Sequence, residues 1–144
     1  MTDINVLILD WDAAAARAMP LRERVFVVEQ GVPAEMELDE FDPVSCHALA
    51  LDAGQAVVAT GRLLPDGHIG RMAVDAAWRG RGVGGRVLEA LVSAAWARGM
   101  DEVLLNAQVD AIAFYLRHGF MAEGEFFMEA GIRHRAMRRS RSGA

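Results

Sequence analysis

The sequence predicts a mixed α/β domain in which helices pack against the faces of a mixed sheet. Its 144 residues fit one domain, and 53% of them are apolar while 24% are charged, as in globular chains. Strand-type and helix-type periodicities follow one another in the order strand, helix, several strands, helix, strand, helix, strands. We therefore expect one domain over residues 1–144, with a flexible tail over residues 138–144.

The N-terminal third is predicted to hold one strand, one helical region and one irregular segment. Alternating apolar residues predict a strand over residues 4–8, and helical spacing predicts a helix over residues 11–28. Pro20 is expected to break that helix or to start a second helical turn, because proline has no amide hydrogen to donate. Residues 29–46 contain a glycine, two prolines and several acidic residues, and they are expected to be irregular.

The rest of the chain is predicted to form further strands and two helices. These are strands at residues 46–51, 56–64, 68–74, 103–107, 120–127 and 132–137, and helices at residues 82–98 and 110–118. The clearest helix carries an apolar stripe of Val83, Val87 and Leu91, and it is expected to stop at Gly99. Asp110 is expected to cap the last helix.

Charge and composition exclude several classes of protein. The net charge is -5, so a general nucleic-acid binder, which needs a basic face, is not expected. No stretch reaches the ~18 apolar residues of a membrane span, and no signal peptide is visible, so we expect a cytoplasmic protein without a membrane partner. Cys46 is the single cysteine, and the four histidines lack metal-ligand spacing, so neither a disulfide nor a metal site is expected.

The sharpest functional signal is a loop that joins a predicted strand to the clearest helix. It reads Arg79-Gly80-Arg81-Gly82-Val83-Gly84. A helix start has unpaired amides and a partial positive charge, and glycines let the backbone approach an anion closely. Two arginines add forked hydrogen-bond donors. Such a loop suits a pyrophosphate.

Two other phosphate-binding motifs fit this loop poorly. A P-loop requires Gly-Lys-Ser/Thr, which is absent from the sequence. A dinucleotide fold would place the glycines after the first strand, whereas here they follow several predicted strands. An unrelated nucleotide binder, with affinity for ATP or NAD, is therefore disfavoured.

Two motifs together resemble the GNAT N-acetyltransferase superfamily. The cofactor motif of that family, Arg/Gln-x-x-Gly-x-Gly/Ala, matches Arg79, Gly82 and Gly84. A second family element, A-x-x-F-Y-x-x-x-G-F, matches residues 111–120, with a helix and a strand between the two motifs. The resemblance covers nearly the whole chain.

A narrower resemblance is to the YjcF/ElaA-like branch of that superfamily. It is carried by Leu-Arg-x-x-Val-Phe-Val-Val-Glu-Gln-Gly-Val-Pro at residues 21–33, by Glu40-x-Asp42 and by residues 131–134. The last of these reads Gly-Ile-Arg-His, where the branch usually has Gly-Ile-Pro-His. The difference concerns the local turn and not the fold.

The resemblance implies the acyl-CoA N-acyltransferase fold and acetyl-CoA as cosubstrate. That fold is a mixed sheet of six to seven strands, flanked by about four helices, with central strands at residues 68–74 and 103–107 that splay apart around the cofactor. The family pattern implies that the pantetheine arm pairs with β-strand backbone and that the Val74 amide donates to the oxyanion. The residues expected to bind the cofactor are Met72, Ala73, Val74, Arg79, Gly80, Arg81, Gly82, Val83, Gly84, Asn106 and Tyr115.

Three residues are candidates for catalysis: Tyr115, Glu29 and His134. Tyr115 is interpreted as the acid for the leaving thiolate, and the other reading is a packed aromatic residue. Glu29, which should border the acceptor groove, and His134 compete for the role of base, because an amine must lose a proton to attack. His47 is the third candidate for the base and is interpreted as structural. In the alternative mechanism no side chain acts as the base, and water relays the proton.

The resemblance implies transfer of an acetyl group to a primary amine on a small molecule or a protein, and it is compatible with a homodimer. A run of acidic residues lies at Glu35, Glu37, Asp39, Glu40 and Asp42. If this run borders the acceptor cleft, it should favour a cationic small amine, and otherwise it is a solvated loop. The alternative function is a non-catalytic acyl-CoA-binding or interaction module.

Overall fold

The computed structural model describes residues 4–37 and 39–142 as a mixed α/β fold. Its strands are β1 Asn5–Leu9, β2 Cys46–Leu51, β3 Val57–Leu63, β4 Ile69–Val74, β5 Glu102–Gln108, β6 Met121–Glu129 and β7 Ile132–Ser140. Its α-helices are α1 Trp11–Arg22, α2 Ala34–Glu37, α3 Val83–Ala97 and α4 Ile112–Arg117. No helix among the described residues is long and apolar enough to cross a membrane.

The strands form two antiparallel sheets that meet along one short seam. The first sheet has the order β1-β2-β3-β4 and the second the order β5-β7-β6. β4 and β5 run parallel and touch through a single bridge, between His68 and Leu104. Beyond that bridge the two strands diverge, so the expected splay of the central strands is confirmed.

β4 contains a bulge between Gly70 and Ala73. The register with β3 shifts between the pairs Thr60–Ala73 and Arg62–Gly70. At this shift Arg71 adopts a φ of 49°, in the left-handed region that few residues other than glycine occupy. The bulge therefore re-aims the Arg71 side chain and the strand that follows it.

Helix α3 lies against the first sheet and carries the predicted apolar stripe. Val87, Leu88 and Leu91 are fully buried in the main core. Gly61 of β3 allows this close approach, since a Cβ there would lie 2.9 Å from a Leu91 methyl carbon and 2.6 Å from the Met72 sulfur. The helix ends before Gly99, whose φ is 82°, as predicted.

The predicted break at Pro20 is wrong. Proline 20 lies inside α1, which continues without interruption into a π-helical segment, Glu23–Glu29. Ala18 and Leu21, on either side of the proline, are buried against the first sheet. Packing on both sides outweighs the loss of one helical hydrogen bond.

The cap predicted for the last helix is also wrong. Asp110 lies in a 3₁₀ turn, Val109–Ala111, and no side chain caps α4. An aspartate cap does exist at α1, where the Asp10 carboxylate accepts a hydrogen bond of 2.9 Å from the Ala13 amide. The same residue type thus caps one helix and not the other.

The expected tail is ordered strand over residues 138–140. β7 continues to Ser140, and Arg138 forms ion pairs of 3.0 Å with both Glu102 and Glu123. Arg138, the first residue of the expected tail, is therefore paired across the second sheet. Residues 143 and 144 lie outside the described part of the chain.

Candidate functional site

Two spaces open beside the splayed strands. The first, here called the phosphate-loop groove, has a volume of about 1130 Å³ and is lined by β4, the loop of residues 79–82, the start of α3, and α4. The second, here called the inner cavity, has a volume of about 560 Å³ and is lined by parts of residues 26–41, 62–72, 106–115 and 129–134. The two spaces share four lining residues, Gln30, Met72, Ala111 and Tyr115.

The start of α3 presents unpaired amides to the phosphate-loop groove. Gly82 precedes the helix with a φ of 78° and no side chain caps it. The Arg86 amide bonds to the Gly82 carbonyl, so the amides of residues 83–85 have no partner within the helix. A Cβ on Gly82 would meet nothing within 4 Å, which leaves open space over these donors. The groove therefore has the backbone geometry of an anion site.

The two arginines of the loop occupy different places. Arg79 lines the groove, where its Nη2 lies 2.8 Å from Glu29 Oε2 and its Nε donates to the Val74 carbonyl at 3.0 Å. Arg81 instead lies over the Trp78 ring at 5.0 Å and is not among the lining residues. Of the two loop arginines, only Arg79 is therefore placed to contact an anion bound in the groove.

The free edge of β4 forms the floor of the phosphate-loop groove. Met72, Ala73 and Val74 all line it. The Asp75 amide points to β3, where it donates to the Val58 carbonyl at 2.8 Å. Because successive amides of a strand point to opposite sides, the Val74 amide faces the open gap.

Several residues of the groove are not among those predicted from the sequence. Gly85 and Arg86 extend the loop into the first turn of α3, and Phe114, Arg117 and His118 come from α4 and its end. Helical spacing from Gly82 could have indicated the first two. The other three depend on how α4 packs over α3, which no local pattern shows.

Tyr115 lies where the two spaces meet. Its ring packs edge to face against Phe114 at 5.0 Å and Phe120 at 5.8 Å. Burial raises the pKa of its hydroxyl to about 12, because the phenolate would lose its solvation. Tyr115 is therefore a neutral hydrogen-bond donor over the whole physiological range.

His134 and Asn106 line the inner cavity and not the phosphate-loop groove. The His134 Nδ1 atom lies 2.7 Å from the Ile132 carbonyl, so in the neutral ring the proton resides on Nδ1. The Phe127 ring stacks on the imidazole at 5.9 Å, and the Nε2 atom lies 3.5 Å from a Glu129 carboxylate oxygen. Nε2 is therefore the ring atom that can accept a proton.

Glu29 and His47 lie elsewhere than in the inner cavity. Glu29 lines the phosphate-loop groove, in contact with Arg79. His47 lines neither space, and its Nε2 lies 2.9 Å from the Asp42 carbonyl. Burial lowers the pKa of His47, which keeps the ring neutral. These surroundings agree with the interpretation of His47 as a structural residue.

The acidic segment is neither a solvated loop nor a free negative patch. Six side chains of alternating charge form a closed ring in the order Arg22, Glu37, Arg71, Asp39, Arg62 and Asp42. The nitrogen–oxygen distances run from 2.5 Å, between Arg22 and Glu37, to 4.0 Å, between Glu37 and Arg71. Glu40 is exposed as expected, and the side chain of Glu35 lies outside the described part of the chain.

The ring is charge-balanced and deeply buried on one side. Arg22 and Asp42 are 1% and 0% exposed. Burial by itself raises the pKa of Asp42, but the guanidiniums of Arg22 and Arg62 outweigh burial and hold that pKa below its usual range. The same balance, with Arg62 and Arg71, lowers the pKa of Asp39. The acids therefore join α2 and its neighbouring turn to α1, β3 and β4, and they do not offer an unpaired charge to a cation.

The described residues contain no cluster of three or more histidine, cysteine, aspartate or glutamate side chains that could hold a metal ion.

Comparison with known proteins gives one consistent result. The family described as "Acetyltransferase (GNAT) domain" matches residues 14–141. The chain is 42% identical over 125 residues to a Bacillus subtilis protein named as an uncharacterized N-acetyltransferase, YjcF, and this match covers 83% of the chain and 88% of that protein. An acyl-CoA N-acyltransferase structure from Pseudomonas aeruginosa has a TM-score of 0.85 and 33% identity, covering 96% of this chain and all of that one. The Escherichia coli ElaA structure also has a TM-score of 0.85, with 29% identity and 96% of this chain covered.

Proposed function

This chain belongs to the GNAT acetyltransferase family, of the YjcF/ElaA type, and we propose that it moves an acetyl group from acetyl-CoA to a primary amine within a ternary complex. The observation that carries the proposal is the meeting of two spaces at Tyr115. One space has the donors for a diphosphate, and the other has a histidine able to take a proton.

The phosphate-loop groove fits the cosubstrate by its donors. The amides of residues 83–85 and the Arg79 guanidinium would hold the diphosphate, and the open edge of β4 would pair with the pantetheine amides. The thioester supplies an activated acetyl group. The Val74 amide points into the gap and would donate to the acetyl oxygen as negative charge builds on it.

His134 is proposed as the base. An alkylammonium with a pKa near 10.4 is only about 0.04% neutral at pH 7, so the amine must lose a proton before it attacks. The Nε2 atom of His134 is the unprotonated nitrogen that lines the inner cavity. Of the two protons that the ammonium loses, one goes to Nε2 and then to solvent. The other ends on the sulfur as the carbon–nitrogen bond forms and the carbon–sulfur bond breaks.

Tyr115 is proposed to stabilise the leaving sulfur through a hydrogen bond. With a pKa of about 12 its hydroxyl is a much weaker acid than a thiol, whose pKa is about 8.5. Complete transfer of the tyrosine proton to the thiolate is therefore unfavourable. A hydrogen bond that strengthens as the sulfur becomes negative needs no such transfer.

Thiol release from acetyl-CoA with a panel of primary amines, beside calorimetry with CoA, tests the function. Tyr115→Phe should lower kcat about 10- to 100-fold while CoA affinity stays within about twofold, since the interaction is made mainly in the transition state. Equal losses in both measurements would mean that Tyr115 only holds the cosubstrate. CoA binding without thiol release on any amine would favour the binding-module reading.

A further inference from the structure

We propose that Glu129 binds the ammonium group of the acceptor, and thus that the inner cavity selects cationic amines. This inference rests on the proposed function and names the substrate class of the same site. Glu129 matches none of the residues that the sequence singled out. It ends β6 and lines the inner cavity together with His134.

The fixed charges that line the inner cavity come from the charged ring and from Glu129. The charged ring contributes two carboxylates and two guanidiniums to this lining. The other two ring members, Arg22 and Asp42, do not line the cavity and carry opposite charges. Glu129 is the one further carboxylate in the lining. Within the described residues its only ion-pair partner is the ring of His134. Glu129 is therefore the negative charge that the cavity walls leave uncompensated.

The basic residues of the same hairpin do not neutralise Glu129. Arg133 and Arg135 lie over the Phe126 ring at 4.2 Å and 5.2 Å, and neither lines the inner cavity. Alternation along β7 explains this, because residues 133 and 135 face away from the side that carries His134. A cation from the substrate would meet no competing guanidinium of that strand.

The hairpin geometry places Glu129 and His134 on one face. Glu129 is the register partner of Ile132 across a two-residue turn, in which Ala130 and Gly131 have φ values of 52° and 76°. His134 follows Ile132 by two residues, so it projects to the same side of the strand. The tight turn thus fixes a diagonal carboxylate–imidazole pair at the mouth of the cavity.

The spacing of this pair suits a nitrogen that carries several protons. Glu129 Oε2 and His134 Nε2 are 3.5 Å apart, too far for a good hydrogen bond to each other. An ammonium nitrogen can lie about 2.9 Å from both atoms at once, and it has three donors to give. One donor would bind the carboxylate, and the proton directed at Nε2 would move to that atom before attack.

The same arrangement disfavours neutral and anionic acceptors. A neutral amine gains little from the carboxylate, and an acceptor with its own carboxylate near the amine would be repelled by it. Glu129 is 54% exposed at its side chain, so solvent screening limits the effect to about 10-fold in KM.

The test compares Glu129→Gln with wild type on two acceptors, n-butylamine, which is cationic at pH 7.5, and an arylamine, which is neutral there. The proposal expects the KM for n-butylamine to rise about 10-fold with kcat changed less than about threefold, and the arylamine values to stay within about twofold. Glu129→Asp should recover part of the n-butylamine KM. Glu125→Gln is the matched control, since it removes an exposed charge from the same strand outside the cavity.

A second measurement separates this inference from the proposed function. Binding of n-butylammonium to the CoA-bound protein is followed by NMR shifts, which require no turnover, and it should weaken about 10-fold in Glu129→Gln and not in Glu125→Gln. Weaker binding in the Glu129 variant supports the inference even if no acetyl transfer is seen. Equal KM changes for both acceptors, or n-butylammonium binding that Glu129→Gln leaves unaltered, would overturn it.

Discussion

The phosphate-loop groove and the inner cavity differ in how the chain builds them. The anion-binding part of the groove comes from one continuous stretch, residues 79–86, and its donors are chiefly backbone amides. The charged and polar side chains that line the inner cavity come from four separate stretches. A site of the first kind depends on local conformation, whereas a site of the second kind depends on how distant segments pack.

The difference also appears in the electrostatics of the two regions. In the groove, three arginines and three acidic residues line the space, and the unpaired amides at the helix start add positive potential for an anion. In the cavity wall, the charges of the six ring side chains cancel one another. The negative potential of the cavity therefore comes from the Glu129 carboxylate. Substitutions in the cavity wall should therefore mainly lower the free energy of unfolding, whereas substitutions in the groove should mainly weaken CoA binding.

The largest expected effect comes from breaking the ring. Asp42→Asn would leave Arg22 and Arg62 without a shared carboxylate in a buried place, and this should lower the free energy of unfolding by about 3–5 kcal/mol. Urea unfolding measures it, with the exposed Glu40→Gln as the control, which should stay within about 0.5 kcal/mol. Equal stability of the two variants would show that the ring is not a structural element.

A second expected effect is loss of stability in acid, smaller than the first because a protonated carboxyl can still hydrogen-bond. The pKa of Asp42 is held below its usual value, so the stability it contributes is full above about pH 4 and is lost as the pH falls through the lower folded value. Burial lowers the pKa of His47, so the stability that the neutral His47 ring contributes is lost as the pH falls below about 6.5. Urea midpoints between pH 7 and pH 3 should fall throughout, and His47→Gln should remove the upper part of the decline. A flat midpoint in wild type down to pH 5 would contradict the role of His47.

A third prediction tests the local character of the groove. Arg79→Glu should weaken CoA binding more than about 10-fold, because it places a carboxylate where a guanidinium lines the groove. Arg81→Glu makes the same change of charge two residues away on a side chain that faces Trp78, and it should weaken binding no more than about threefold. Calorimetry with CoA gives both values. Similar losses would mean that net charge, and not position, controls binding.

The smallest expected effect concerns the ion pair that crosses the groove. Glu29 competes with a diphosphate for Arg79, so Glu29→Gln should tighten CoA binding by about two- to threefold at low salt. Glu23→Gln removes an exposed charge from the same π-helical segment and should leave affinity unchanged. Weaker binding in Glu29→Gln would instead assign Glu29 a direct part in holding the cosubstrate.

Local patterns predicted most of the secondary structure, and the exceptions share a cause. The stripe of α3 and the stop at Gly99 follow from spacing and from glycine conformation, and the structure confirms both. Pro20 and residues 138–140 are read wrongly, because their conformations are decided by contacts with distant partners. Leu21 buries against the first sheet, and Glu102 pairs with Arg138, and neither contact is local.

The sequence by itself determined the phosphate loop, because a strand, glycines and a helix start within one short stretch already specify where unpaired amides will be. Only the tertiary structure decided that Glu37, Asp39 and Asp42 are neutralised by three arginines, and that Glu129 stands beside His134. Charges close in space interact strongly whatever their separation along the chain, and that separation is all that a sequence displays.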